Sequence, residues 1–176
     1  VPLYREENKY YIDESNLDNL VFLDNGTQFV ITSEKSGYMH LYLYDLNGRE
    51  RQAITKGNFD IIDFYGYDPV RKLFYYSSYE ESPLEKYIYS INEKGLKKKL
   101  TPVKGWNEAS FSKNFNYYIN VVSNTDTPPV TALYNAKGKQ VRVLEDNKAV
   151  KEAVKAYNLA KPEFIQIPAA DGKTML

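Results

Sequence analysis

The sequence predicts an all-β fold of about three four-stranded β-propeller blades, followed by a short helix. Three observations predict it. A strand–strand–turn pattern recurs about every 43–47 residues, the range in which self-similarity means propeller blades. The strands are bulky on both sides: in His40 to Tyr44, Leu41 and Leu43 point one way and His40, Tyr42 and Tyr44 the other. A one-sided sheet would place charge at alternate positions, so each face is expected to meet another sheet. Finally, each repeat turns on a glycine at the matching place, Gly48, Gly95 and Gly138.

Taken in order, residues 1–20 read as the tail of an earlier blade, with a strand at Lys9 to Ile12. Three units follow, at about 21–63, 64–109 and 110–146. Each opens on a strand rich in Tyr, Phe and β-branched residues: Gly26 to Thr32, Lys72 to Ser77, Asn116 to Val122. A second aromatic strand follows in each: His40 to Leu46, Tyr87 to Ile91, Thr131 to Asn135. After the glycine turn comes a last extended segment: Ile54-Thr55, Leu100-Thr101, Val141 to Leu144. Asp24-Asn25-Gly26, Asn47-Gly48 and Asp68-Pro69 are turn signals, and Pro128-Pro129 predicts a loop or an edge. Beyond Leu144 the period changes. Asp146 or Asn147 can cap a helix with Ala149, Val150, Ala153, Val154 and Tyr157 at helical spacing, ended by Pro162. Phe164 to Ile167, a turn at Asp171-Gly172 and Thr174 to Leu176 then predict the start of a hairpin. The domain reading is therefore 1–146 partial propeller, 147–162 linker helix, and 163–176 the first strands of a further domain.

Charge balances, with 23 Lys and Arg against 23 Asp and Glu, so no electrostatic footprint for nucleic acid is visible. Lys97-Lys98-Lys99 reads as a solvated turn after Gly95. No apolar run approaches the roughly 18–20 residues that span a bilayer, and Val1-Pro2 leads straight into charged sequence rather than a signal peptide. Cysteine is absent, which excludes disulfides. Tyr, used seventeen times, suits strands packed on both faces near solvent.

The run SEKSGYMHLYLYDLNGRERQAITKGNFDI, Ser33 to Ile61, closely resembles the propeller of the dipeptidyl peptidase IV family in the prolyl oligopeptidase superfamily. The resemblance rests on Ser33, Glu34, Gly37, Tyr38, His40, Leu41 and Tyr42, then Thr55, Gly57 and Phe59. FYYSSYEES, SFSKNFNYYI and VRVLEDN followed by a helix fit the same family in order and spacing. It implies an eight-bladed propeller, with residues 163–176 entering an α/β-hydrolase domain. It also implies a parent serine exopeptidase that releases dipeptides with Pro or Ala second from the amino terminus. Its peptide substrate would be handled in a periplasm or at a cell surface, and the composition leans bacterial.

That chemistry needs a Ser on a Gly-x-Ser-x-Gly elbow, with Asp and His following. Every serine in this chain lacks the flanking glycines, and the single histidine, His40, falls mid-strand as an expected structural residue, hydrogen-bonded between blades. The expected set of catalytic, substrate-binding and metal-ligating residues is therefore none, and no cofactor is expected. Glu80-Glu81 looks like the glutamate pair with which the family grips a substrate amine, but it lies several blades too late and reads as a solvated loop. The family's aromatic-Arg pair aligns near Ser15 and Asn16, which match neither type. The leading expectation is a non-catalytic part of a gating propeller that positions peptide. The alternatives are a propeller serving as a protein-interaction platform and a Tyr-rich sandwich binding carbohydrate. Three blades cannot close a ring, so the end sheets should expose apolar faces, and self-association through them, most simply as a two-fold dimer, is expected.

Overall fold

The computed structural model describes residues 3–13, 19–23, 26–157, 159–160 and 162–173. Twelve strands form three four-stranded antiparallel sheets, each a simple meander in chain order. Sheet 1 contains β1 (Val21–Phe22), β2 (Gln28–Ser33), β3 (His40–Asp45) and β4 (Glu50–Ala53). Sheet 2 contains β5 (Ile61–Asp68), β6 (Leu73–Ser78), β7 (Tyr87–Ile91) and β8 (Lys97–Lys99). Sheet 3 contains β9 (Trp106–Phe111), β10 (Tyr117–Asn124), β11 (Thr127–Asn135) and β12 (Gln140–Glu145), and helix α1 (Lys148–Ala156) follows.

The two-sided strands pack as their sequence requires. Leu41 and Leu43 of β3 join Phe74, Tyr76, Tyr87 and Tyr89 in the core between sheets 1 and 2. Tyr42 and Tyr44, on the opposite face, pack with Phe29 and Ile31 and are covered by Leu3 and Tyr4. A second inter-sheet core joins Tyr75, Ile88 and Leu100 of sheet 2 to Tyr118, Ala132 and Tyr134 of sheet 3. Rings stack within these cores, Tyr118 on Tyr134 at 5.2 Å and Tyr76 on Tyr89 at 5.5 Å.

One turn design recurs between the third and fourth strand of each sheet. The side-chain oxygen of Asp45, Asn92 or Asn135 accepts hydrogen bonds from the backbone two and four residues on, at 2.9–3.1 Å. The glycine that follows takes φ of 73° at Gly48 and 79° at Gly95 and Gly138, which a residue with a Cβ rarely adopts. Thr55 and Thr101 form a second repeated device: their hydroxyls accept the backbone N–H of Leu41 and Ile88 at 3.0 Å, closing the end of the sheet. Sheet 3 has no such threonine, and there the chain leaves the sheet into α1.

Several expectations are corrected. The sheets begin at Val21, Ile61 and Trp106, so the expected unit boundaries at 63/64 and 109/110 cut through β5 and β9. β5 is hard to read as a strand because its residues are half-buried and its pairing with β6 shifts register twice, around Phe64. Residues 9–12 form no strand, and Tyr10 and Tyr11 stand in solvent; sheet 1 already has its four strands and offers them no ladder. Pro128 and Pro129 lie inside β11, an interior strand, where the β10–β11 register shifts between Val122 and Asn124; the irregularity accommodates residues that cannot donate. The helix ends at Ala156, short of Pro162, because it buries none of its residues and packing does not hold further turns. Phe164 to Ile167 carries no strand pairing among the described residues. Asp24, Asn25 and Thr174 to Leu176 lie outside the described residues, whereas the turn at Asp171-Gly172 forms, with Gly172 N–H donating to Ala169 O at 2.9 Å.

The end sheets differ. The outward face of sheet 1 is covered by the segment carrying Leu3 and Tyr4. On sheet 3, Tyr117 and Ile119 share the outward face of β10 and are 50% and 40% exposed.

Candidate functional site

Every meander places the turn between its second and third strands at the same end as the link to the next sheet. This end therefore carries residues 34–39, 79–86 and 125–126, together with the links 54–60 and 100–105. The chain also leaves sheet 3 here, where the Asn147 amide donates to Pro129 O at 2.6 Å. Beside that exit, the β10–β11 tip and α1 frame a cleft of about 780 Å³ lined by Asn124, Asp126, Pro128, Lys151, Val154 and Leu159.

Of the residues that carried the family resemblance, His40, Leu41, Thr55, Gly57 and Phe59 meet at this end as a structural joint, with Ser33 paired beside His40. Ser33 donates to Glu6 Oε1 at 2.7 Å, tying residues 3–13 to sheet 1. His40 is 3% exposed and both ring nitrogens are engaged, Nδ1 with Thr55 Oγ1 at 3.1 Å and Nε2 with Gly57 O at 3.0 Å. A carbonyl only accepts, so Nε2 carries the proton and Nδ1 accepts from Thr55. Phe59 meets the imidazole edge-on at 5.3 Å. His40 thus holds the link from sheet 1 to sheet 2, and the Thr55 hydroxyl beside it is buried and also bonded to the Leu41 N–H. Asp60 continues the joint, accepting from Met39 N–H at 2.5 Å and from Tyr79 Oη at 2.6 Å. That bond to Asp60 pushes the Tyr79 phenol up to about 12.

Glu80 and Glu81, expected in a solvated loop, are held against sheet 2. Lys99 donates to Glu81 Oε2 and Tyr89 to Glu81 Oε1, both at 2.8 Å, and Lys97 donates to Glu80 at 2.5 Å. The lysine run is correspondingly strand β8 rather than a turn. Alternation sends Lys97 and Lys99 to the glutamates, with Lys99 3.3 Å from the Tyr87 ring centre, and sends Lys98 toward sheet 3. The hydrogen bond from Lys99, followed by that from Tyr89, holds the Glu81 carboxyl below its ordinary range, with burial opposing. A depressed folded value adds stability above the unfolded carboxylate range and loses it as pH falls through the folded one. Glu81→Gln is therefore expected to flatten the fall in melting temperature between about pH 5 and pH 3. An acid limb identical to the parent's would show that this pair carries none of it.

A second cluster joins sheets 2 and 3. Lys86, 6% exposed at its side chain, lies 3.2 Å from Asp63 Oδ2, 3.8 Å from Glu108 Oε1 and 5.0 Å from the Trp106 ring centre. Ser77 donates to Asp63 Oδ2 at 2.7 Å and Tyr65 at 3.3 Å. Burial works to raise the Asp63 carboxyl, but Ser77 and then Lys86 outweigh it and hold it below its ordinary range. Ser77 is fully buried, so this serine, aspartate and lysine form a joint that no substrate carbonyl can reach. Asp60, Asp63 and Lys86 were not singled out from the sequence, because the bonds that join them to other strands come from Tyr79, Ser77 and each other, 14 or more residues away. Ser15 and Asn16 lie outside the described residues.

Residues 1–129 match the family model described as the dipeptidyl peptidase IV (DPP IV) N-terminal region. The chain is 30% identical over 172 residues to dipeptidyl peptidase 4 of Trichophyton rubrum, covering 90% of this chain and 22% of that protein. The same shares and identity hold for dipeptidyl peptidase 4 of Arthroderma otae. The crystal structure of Porphyromonas gingivalis dipeptidyl peptidase 4 superposes with a TM-score of 0.89 at 40% identity, covering 96% of this chain and 24% of that one. The chain thus spans about a quarter or less of the length of these relatives. Three stacked four-stranded sheets with this repeat, matched over most of their length, settle the family: the chain belongs to the dipeptidyl peptidase IV N-terminal, propeller-forming region.

Proposed function

We propose that the chain is the gating and positioning part of a serine exopeptidase that removes Xaa-Pro or Xaa-Ala dipeptides from peptide amino termini. The observation that carries this reading is the match to the dipeptidyl peptidase IV N-terminal region, joined to a stitched, loop-bearing end from which the chain departs. In such an assembly these sheets contribute a rigid wall: the Lys86 and Glu80-Glu81 joints fix the loops, and peptide is selected by size and held in place. Residues 147–162 then act as the linker and 163–176 as the entry to the hydrolase domain. The same reading carries an exported protein, in a periplasm or at a cell surface. The open face of sheet 3 is read as the surface through which the isolated chain self-associates.

The test compares the full-length gene product with the 176-residue chain on Gly-Pro and Ala-Pro chromogenic substrates and with a serine-directed fluorophosphonate. Hydrolysis and labelling are expected for the full-length product alone. A full-length product that neither cleaves nor labels would sink the peptidase reading and favour an interaction platform.

A further inference from the structure

The repeat aligns residue by residue on the turn residues Asp45, Asn92 and Asn135, and this alignment isolates one side chain. Two positions before each of them stand Leu43, Ser90 and Leu133. Their partners on the outer strands are Gln52, Lys98 and Arg142. The first two do the same thing: each reaches out of its own sheet to a backbone carbonyl in the third-to-fourth-strand turn of the next one. Gln52 Nε2 donates to Glu93 O at 3.0 Å, and Lys98 Nζ donates to Lys137 O at 2.8 Å. Arg142 holds the equivalent place in sheet 3 and is exposed, and its side chain has no hydrogen bond or ion pair among the described residues.

We infer that Arg142 is an inter-sheet clamp, and that its partner is a further four-stranded sheet of the same construction, packed on Tyr117 and Ile119. Two observations fix the occupant. The two existing junctions each combine an aromatic core with this donor-to-turn bond, and the open face of sheet 3 continues the series with both parts in place. The relatives are also more than four times as long as the matched segment, which leaves chain to supply that sheet. A guanidinium is a fitting donor, since it stays charged at every working pH and can bond a carbonyl while its stem covers apolar surface. The inference rests on the propeller reading but makes a claim about one side chain that peptidase activity does not report.

The test measures thermal unfolding of Arg142→Ala and Arg142→Lys in the full-length gene product and in the 176-residue chain. In the full-length product Arg142→Ala is expected to lower the midpoint by about 1–2 °C, the loss of one charge-assisted hydrogen bond spread over a chain of that length. Arg142→Lys should restore it, because lysine already fills this role at position 98. In the 176-residue chain, diluted until it is monomeric, Arg142→Ala should leave the midpoint unchanged. A crystal structure of the full-length product should place an Arg142 nitrogen about 3 Å from a turn carbonyl of an adjoining sheet. An equal loss in both proteins, no loss in either, or a guanidinium seated on a carboxylate would overturn the inference. Failure of the peptidase reading would show separately, as an inert full-length product.

Discussion

Alanine in place of Tyr75 is expected to destabilise the chain by about 3–5 kcal/mol, while phenylalanine there should leave stability unchanged or raise it. Tyr75 sits in the middle of β6, fully buried, at the core that joins sheets 2 and 3. Its ring stacks on Phe115 at 4.9 Å with planes 6° apart and meets Phe111 at the same separation. Removing it leaves a cavity against aromatic neighbours that cannot collapse, since both are held by their own turns and strands. The hydroxyl contributes nothing comparable. It is buried with no hydrogen-bond partner among the described residues, and burial pushes it up to about 12. Its desolvation is therefore uncompensated, and deleting the oxygen alone removes a cost rather than a contact. Urea unfolding of the two variants separates ring from hydroxyl. A Tyr75→Phe loss above about 1 kcal/mol would mean the hydroxyl is bonded after all.

The second large effect is expected at Asn107, a fully buried amide where the link from sheet 2 enters sheet 3. Its Nδ2 lies 2.9 Å from Lys86 O and 3.2 Å from both Val103 O and Gly105 O, while its Oδ1 accepts from Asn120 Nδ2 at 2.9 Å. Asn107→Ala strips partners from several buried groups at once, and each orphaned group costs about 1–3 kcal/mol, so a total near 3 kcal/mol is expected. Asn120→Ala should cost less, because Asn120 Oδ1 already has no partner among the described residues. The reverse order of the two variants would refute this account. A double-mutant cycle should give a coupling of at least about 0.5 kcal/mol, as contacting network members do.

These two sites show how far the sequence could be read. The strand-rich aromatic repeat was legible, because Tyr and Leu alternating on one strand have no stable arrangement except between two sheets. The turn glycines were legible for an equally local reason, the positive φ that their turns demand. His40 was legible as structural, although its partners, Thr55 and Gly57, lie beyond the strand that holds it. Asn107 gave no signal, since an asparagine after a glycine and a tryptophan reads as loop chemistry. Glu80, Glu81 and the lysines of β8 misled for the same reason. Charge runs look solvated until alternation and a tight turn bring 80–81 onto 97 and 99.

Period, alternation and turn chemistry are properties of neighbouring residues, so the sequence by itself determined the repeat and its two-faced packing, while the resemblance carried by Ser33 to Ile61 pointed to the family. The ion pairs of Lys86 with Asp63, Lys97 with Glu80 and Lys99 with Glu81 join charges 17 to 23 positions apart, and where each sheet begins depends on strand pairing rather than on neighbours. Those were decided only by the tertiary structure, where stacking one meander on the next gives isolated side chains their partners. Arg142 marks the limit of both: the repeat sets its position opposite Leu133, and the partner we infer for it is a matter of tertiary packing alone.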